Sequence, residues 1–164
     1  MCIRDSYIPE RLPEERPLAL FWGGNRQYGM RKLYLEYLEA TFDLDLSDLY
    51  LPKEYVRMMQ ASRIGLDIPG FGFDTVRYWE VPAHGAMLLA ERRPIIIPNN
   101  FRDRESAVFY EDLADLEDKL RYYLSRPEEC AAIAKAGREH LLRYHTGTER
   151  ARQLLGWVYN TLGW

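Results

Sequence analysis

Residues 68–91 read IPGFGFDTVRYWEVPAHGAMLLAE, and this stretch predicts a complete strand-to-helix-to-strand connection. Residues 64–68 form a short run that is typical of a buried strand, and a glycine-containing turn follows it. Gly85 is a natural end for the next helix, and residues 86–90 predict another strand. Pro82 falls inside that helix, so we expect the helix to be kinked or only about two turns long.

The turn at residues 70–75 has the features of an anion-binding loop. Gly70 and Gly72 allow the backbone to approach a ligand closely, and Asp74 and Thr75 are residue types that begin helices well. The free N–H groups of a first helical turn and the positive end of the helix dipole attract phosphate. We therefore predict a phosphate site formed by Gly70, Phe71, Gly72, Phe73, Asp74 and Thr75.

Arg77 and Glu80 lie on the helix after this turn and admit two interpretations. A carboxylate repels phosphate but accepts hydrogen bonds from the two hydroxyls of a ribose, so the segment indicates a nucleotide site that includes both residues. Their spacing of three residues also fits a simple surface ion pair. The turn lacks the GxGxxG spacing of a dinucleotide fingerprint and the Lys-Ser/Thr of a P-loop, so neither interpretation is excluded.

A second glycine turn follows the first predicted strand. Residues 17–22, PLALFW, predict a short buried strand that stops at Gly23-Gly24-Asn25. Residues 26–40 predict a helix whose inward face is Met30, Leu33, Tyr34, Tyr37 and Leu38. Arg26 and Arg31 belong to a local basic cluster here, and with Gly24 they join the candidate site residues.

The remaining chain continues the alternation of strands and helices. Residues 41–51 alternate apolar and acidic side chains, which leaves a half-buried strand and an extended loop both open. A helix begins at Pro52, residues 107–110 predict the last strand, and three helices close the chain. This pattern predicts an α/β domain with a doubly wound parallel sheet, and ligands of such sheets bind beyond the carboxyl ends of the strands, where strand order reverses.

Composition places the chain in an ordinary globular class. It has 164 residues, 47% of them apolar, and a formal net charge of -3, which gives no general attraction for nucleic acid. We see no apolar run near the roughly 20 residues of a membrane helix, and expect a cytoplasmic domain. Cys2 and Cys130 form neither a disulfide framework nor a metal motif, so Cys130 is expected to be buried.

The amino terminus is unusual. Its opening MCIRDS resembles a translated sequencing adapter, and residues 7–17 are polar and rich in Pro and Glu. We expect residues 1–17 to be disordered or artefactual and residues 18–164 to form the domain.

The order of motifs resembles the carboxyl-terminal half of GT-B glycosyltransferases, in particular the CgeB-like, spore-maturation-type branch of the group 1 enzymes. The resemblance rests on residues 77–85, RYWEVPAHG, on the strand and helices from 107 to 138, and on His145-Thr146 at the start of the last helix. It covers residues 18–160. We expect His145 and Thr146 to cap that helix rather than to act in chemistry.

The resemblance implies a bacterial enzyme domain that binds a nucleotide-diphosphate sugar, with Glu80 on the ribose, residues 70–75 near the diphosphate, and Arg26 or Arg31 neutralising the leaving nucleotide. It implies no cofactor and no metal, and we interpret Asp43-Leu44-Asp45 as structural. The acceptor-binding amino-terminal domain would be missing from this chain, so the fragment is expected to be inactive alone.

One departure from the family pattern keeps alternatives open. Many group 1 enzymes carry another glutamate eight residues before the one that Glu80 resembles, and this chain has Gly72 there. A non-catalytic interaction or nucleotide-binding domain on the same fold is the main alternative. A flavodoxin-like or response-regulator-like domain is a third, although the first strand does not end in an acidic pair.

Overall fold

The structure, a computed structural model, describes residues 3–46 and 50–163. Within these ranges the chain alternates strands and helices before ending in three consecutive helices, as the sequence predicts. After a short 3-10 helix at Asp5–Tyr7 the elements are β1 Leu18–Phe21, α1 Arg31–Phe42, α2 Pro52–Ala61, β2 Ser62–Asp67, α3 Arg77–Ala83, β3 Met87–Glu91, β4 Val108–Tyr110, α4 Leu113–Leu124, α5 Pro127–Tyr144 and α6 Gly147–Leu162.

The four strands of the described ranges form one parallel sheet in the order β1-β2-β3-β4. The register of neighbouring strands is given by pairs such as Leu20 with Ile64, Leu66 with Leu89, and Ala90 with Phe109. Strand order does not reverse along these strands, so the expectation of a reversal point is not met in this part of the sheet. The loops still meet at one edge, because parallel strands all end on the same side.

Helices cover both faces of the sheet, which is why its strands are almost continuously apolar. One face packs Leu66 and Leu89 against α1, α4 and the first half of α5. The other face packs Leu88 and Phe109 against α2, α3 and the end of α5. The predicted class, an α/β domain with a parallel sheet between helical layers, is confirmed. Cys130 is buried in the first of these cores, also as predicted.

Helix α1 differs from its prediction in start and in face. It begins at Arg31, because the chain first turns through Gly29, whose φ is +58°. Its buried side chains are Arg31, Tyr34, Leu35 and Leu38, while Leu33 and Tyr37 are exposed. The prediction was wrong about this face because it placed the exposed Met30, Leu33 and Tyr37 inward and left out Leu35 and Arg31, which are both buried.

The segment after α1 is irregular where it is described. Asp43 ends the helix in a left-handed conformation with φ +50°, and residues 44–46 and 50–51 lie outside helices and strands. The extended-loop alternative therefore holds for these positions, whereas residues 47–49 lie outside the described residues.

The amino-terminal segment packs against the domain at two places. Ile3 is buried and pairs with Thr146 through an isolated parallel bridge, and Arg16 donates hydrogen bonds to the carbonyls of Gln60 and Ser62 at 2.7 and 3.1 Å. The assignment of residues 1–17 to a disordered or artefactual segment stays a prediction. Across the described ranges, no helix combines the length and apolar character needed to cross a membrane.

Candidate functional site

Asp67, the last residue of β2, is the centre of a polar cluster at the carboxyl edge of the sheet. Its side chain is fully buried and accepts hydrogen bonds from the Thr75 hydroxyl at 2.7 and 2.9 Å. The guanidinium of Arg77 forms an ion pair with it at 3.2 Å, and Arg93 donates to its other oxygen. Three side chains from two different loops and a helix thus converge on one carboxylate.

Arg77 connects α3 to the first glycine turn. It begins α3, is 5% exposed, and donates to the carbonyl oxygen of Gly23. A Cβ added at Gly24 would lie 2.6 Å from Arg77 Nη2, and Gly24 has φ +148°, so only glycine fits at this position. The turn after β1 is therefore built around the guanidinium of Arg77.

Arg31 connects the two glycine turns to each other. From the first turn of α1 its Nε donates to the carbonyl of Ile68 at 3.0 Å, and its Nη1 donates to the carbonyl of Asn25 at 3.0 Å. A Cβ at Gly70 would lie 2.9 Å from Arg31 Nη2, so the second turn passes directly over the guanidinium. The close approach of these loops depends on the absence of a side chain at residue 70.

Glu80 lies on the same side of α3 as the first glycine turn. It is half-buried, and its Oε2 accepts a hydrogen bond from the Tyr55 hydroxyl at 2.8 Å. The Tyr55 ring packs on Gly23, where an added Cβ would lie 2.9 Å from it. The surface ion pair of Arg77 with Glu80 was the wrong interpretation, since Arg77 is buried and pairs with Asp67.

The cluster contains more positive than negative charge. Three guanidiniums, those of Arg31, Arg77 and Arg93, lie close enough for burial and mutual repulsion to lower the pKa of Arg31 and of Arg93, the latter to about 10. Burial lowers the pKa of Arg77 as well. Guanidiniums stay protonated at neutral pH, and Arg77 and Arg93 pair with the carboxylate of Asp67 whereas Arg31 bonds backbone carbonyls. A surplus of positive charge at a sheet edge attracts anions.

The other predicted site residues lie around this cluster. Asp74 does not cap α3 and instead accepts a hydrogen bond from Trp79 Nε1 at 3.0 Å. The Thr75 hydroxyl accepts one from the Tyr78 amide in the first turn of α3, at 3.4 Å. Phe71 is 92% exposed and its ring lies 4.6 Å from that of Tyr28. Phe73 is exposed, and a Cβ at Gly72 would meet no atom within 4 Å.

Arg26 lies apart from the cluster of guanidiniums described above. It forms an ion pair with Glu39 of α1 at 2.6 Å, and both side chains are partly buried. The structure therefore brings Gly24, Arg31, Gly70, Thr75, Arg77 and Glu80 together, and holds Arg26 on the side of α1.

Sequence reasoning missed Asp67, Arg93 and Tyr55. Asp67 and Arg93 stand at or just beyond the carboxyl ends of β2 and β3, which is the edge that the fold prediction already singled out. A search for charged residues at strand ends would have found both. Tyr55 carries no such signal, because its approach to Glu80 depends on how α2 packs.

The histidines belong to other parts of the fold. His84 ends α3 at the opposite edge of the sheet, where burial lowers its pKa and its Nδ1 lies 2.9 Å from the carbonyl oxygen of Glu80. Thr146 caps α6 by accepting a hydrogen bond from the Glu149 amide at 3.1 Å, and His145 beside it is fully buried. The predicted capping role of this pair is confirmed for Thr146.

Two cavities of about 370 Å³ each lie away from the carboxyl edge. One is between the amino-terminal segment and α5, lined by Arg16, Arg63 and Arg138 among others, and the second lies between residues 99–106 and α5. The candidate site is instead an edge formed by loops, where a smaller cavity of about 90 Å³ is lined by Tyr78, Glu91 and Arg93 among others. In the described part of the chain no group of three or more His, Cys, Asp or Glu side chains is placed to hold a metal ion.

A parallel α/β domain with two glycine turns at its carboxyl edge defines a Rossmann-like class of protein. Residues 27–156 match the family model described as glycosyl transferase-like, which spans most of the chain. The chain belongs to the glycosyl transferase-like family.

Solved structures with a similar fold include TarM, with 10% identity and a TM-score of 0.65 over 90% of this chain. A glycosyltransferase from Rickettsia africae ESF-5 has 10% identity and a TM-score of 0.63 over 89%. A sucrose-phosphate synthase from Thermosynechococcus elongatus has 21% identity and a TM-score of 0.55 over 87%. The chain spans 36%, 48% and 38% of these three proteins, respectively. No curated protein sequence matches it significantly.

Proposed function

We propose that this chain is the donor-binding, carboxyl-terminal half of a GT-B glycosyltransferase and that it binds a nucleotide-diphosphate sugar without a metal ion. The observation that carries the proposal is the convergence of Arg31, Arg77, Glu80 and both glycine turns at one edge of the sheet. Membership of the glycosyl transferase-like family supports it. The CgeB-like branch, a cytoplasmic location and a bacterial source remain parts of this proposal.

The chemistry of glycosyl transfer fits the charges of this edge. The reaction releases a nucleoside diphosphate, and fixed positive charge stabilises the negative charge that develops on it. In the proposed complex the guanidiniums and the amides of residues 70–75 face the diphosphate, and Glu80 accepts hydrogen bonds from the ribose. The Tyr55 hydroxyl already shows that Glu80 accepts such bonds, and it would share the carboxylate with the sugar.

The test is a calorimetric titration of the purified chain with UDP, GDP and their sugar conjugates. We expect at least one of them to bind, and Glu80→Gln to weaken that binding about tenfold or more, the effect of losing hydrogen bonds to a charged group. Glu36→Gln is the matched control, because Glu36 is 56% exposed on α1 and pairs only weakly with Lys32 at 3.9 Å. Absence of binding by every nucleotide would contradict the proposal.

A non-catalytic interaction domain is the second candidate. The observation in its favour is α6, whose large apolar side chains are exposed and none of whose residues is buried. If the chain is such an interaction domain, Glu80→Gln should leave nucleotide affinity unchanged, so the same titration separates the two candidate functions.

A further inference from the structure

Arg93 is buried at the carboxyl edge although it follows β3, outside the turn and the helix that the sequence singles out. Its side chain is 3% exposed and forms an ion pair with Asp67. It also donates to the carbonyl of Phe73 and to the Thr75 hydroxyl, the latter at 3.2 Å. Its guanidinium lies over the Tyr78 ring, 4.6 Å from the ring centre.

These contacts tie the turn at residues 70–75 to the end of β2. Thr75 and Asp74 have other partners, Asp67 and Trp79. At the tip of the turn, however, Phe71 is almost fully exposed and Gly72 faces open space. One planar guanidinium, with its five donors in a fixed fork, joins the carbonyl of Phe73, the hydroxyl of Thr75 and the carboxylate of Asp67. Arg93 thus holds the carbonyl of Phe73, and with it the backbone next to the exposed tip of the turn.

Arg93 also adds charge that its neighbours do not neutralise. It shares Asp67 with Arg77, so two guanidiniums pair with one carboxylate. Its Nε is buried and has no hydrogen-bond partner among the described residues. A buried cation with an incomplete set of acceptors is favoured by a nearby anion.

We infer that Arg93 is a positioning residue for the donor diphosphate. It holds the 70–75 turn on Asp67 so that the amides of the turn face the phosphates, and its positive charge adds to the attraction of the phosphates. The inference rests on the proposed function for the identity of the anion. The role of Arg93 in holding the turn does not rest on the proposed function, because it concerns the protein without ligand.

The first experiment measures backbone amide order parameters by NMR relaxation in the ligand-free chain. In Arg93→Lys, which keeps the charge and loses the fork, the order parameters of residues 70–75 should fall while those of β3 keep their wild-type values. Arg92→Lys is the matched control, because Arg92 is 48% exposed and pairs with Asp103 and Glu111 at the surface. Unchanged order parameters of residues 70–75 in Arg93→Lys would overturn the positioning role.

The second experiment compares the affinities of UDP and GDP with those of uridine and guanosine. Arg93→Lys should weaken diphosphate binding about tenfold and leave nucleoside binding within about twofold, because the change affects only the phosphate side. Equal losses for both would mean a general structural role and would overturn the inference. If the wild-type chain binds no nucleoside diphosphate, the proposed function fails together with the diphosphate role of Arg93. If the wild-type chain binds a nucleoside diphosphate and Arg93→Lys binds it equally well, the diphosphate role of Arg93 is wrong while the proposed function stands.

Discussion

Asp67 carries a fully buried carboxylate that accepts hydrogen bonds from Thr75, Arg77 and Arg93. A buried charge is tolerated only when it is paired and hydrogen-bonded, and each of these partners comes from a segment that reaches the candidate site. The carboxylate therefore fixes the relative positions of the 70–75 turn, α3 and the segment after β3. Glu80 differs from it in being half-buried and held by one hydroxyl, which leaves it available to a ligand.

His145 makes stability depend on pH. Burial, with Arg150 and His140 nearby, lowers its pKa to about 4, from an ordinary value near 6.5. The unfolded chain therefore binds more protons between these values, and the stability present above pH 6.5 is lost as pH falls towards 4. Between pH 7 and pH 5 we expect His145 to cost about 2 kcal/mol of the free energy of unfolding.

Urea unfolding of wild-type protein and His145→Gln at both pH values measures this difference. The variant keeps a donor for the carbonyl of Asn99, which lies 2.6 Å from His145 Nε2, but it does not titrate. Equal losses in the two proteins would mean that His145 is not buried in its neutral form.

At the scale of elements, α5 and α6 are neighbouring helices with opposite relations to the core. Helix α5 buries five residues, among them Gly137 and Leu141, whereas α6 buries none. A Cβ at Gly137 would lie 2.5 Å from the carbonyl oxygen of Ser106, so α5 packs directly on the backbone before β4. At Gly156 of α6 a Cβ would meet no atom within 4 Å.

We expect the same substitution to have opposite effects in these helices. Gly156→Ala should stabilise the protein by roughly 0.5–1 kcal/mol through helix propensity. Gly137→Ala gains the same propensity but forces α5 away from Ser106, and should destabilise by about 1–3 kcal/mol. Thermal or urea unfolding of both variants gives the comparison, and a stabilised Gly137→Ala would show that the contact with Ser106 is loose.

The elements were predictable where local signals agreed. Pro52 at the start of α2, Pro127 at the start of α5 and Gly85 after α3, with φ +78°, lie where proline and glycine rules place them. The burial of Arg31 on α1 was not predictable from apolar residues, because its guanidinium is buried by pairing with backbone carbonyls of distant loops. Long-range pairing of this kind leaves no periodic pattern.

The same limit applies to the candidate site. The two glycine turns and Glu80 stand out in the sequence because residue type and position after a strand are local facts. Arg93 also follows a strand and could have been found in this way. Tyr55 joins the site only through the packing of α2, which brings its hydroxyl to Glu80, 25 positions further along the chain.

At the scale of the whole molecule, the chain spans less than half of each similar solved structure described above. Its candidate site is an edge formed by loops rather than a closed cavity, and such an edge binds ligand from one side only. We therefore expect the isolated chain to bind donor without transferring sugar, the acceptor side lying in the other half of the proposed enzyme.

The most direct test of the central claim is whether Glu80 recognises ribose hydroxyls. The measurement is the dissociation constant of UDP or GDP, whichever binds, and of its 2′-deoxy counterpart, for wild-type protein and Glu80→Gln. The wild type should prefer the ribose form about tenfold, because the half-buried carboxylate of Glu80 loses a hydrogen bond with the deoxy form, and Glu80→Gln should lose most of this preference. A preference that is equal in both proteins would contradict the account.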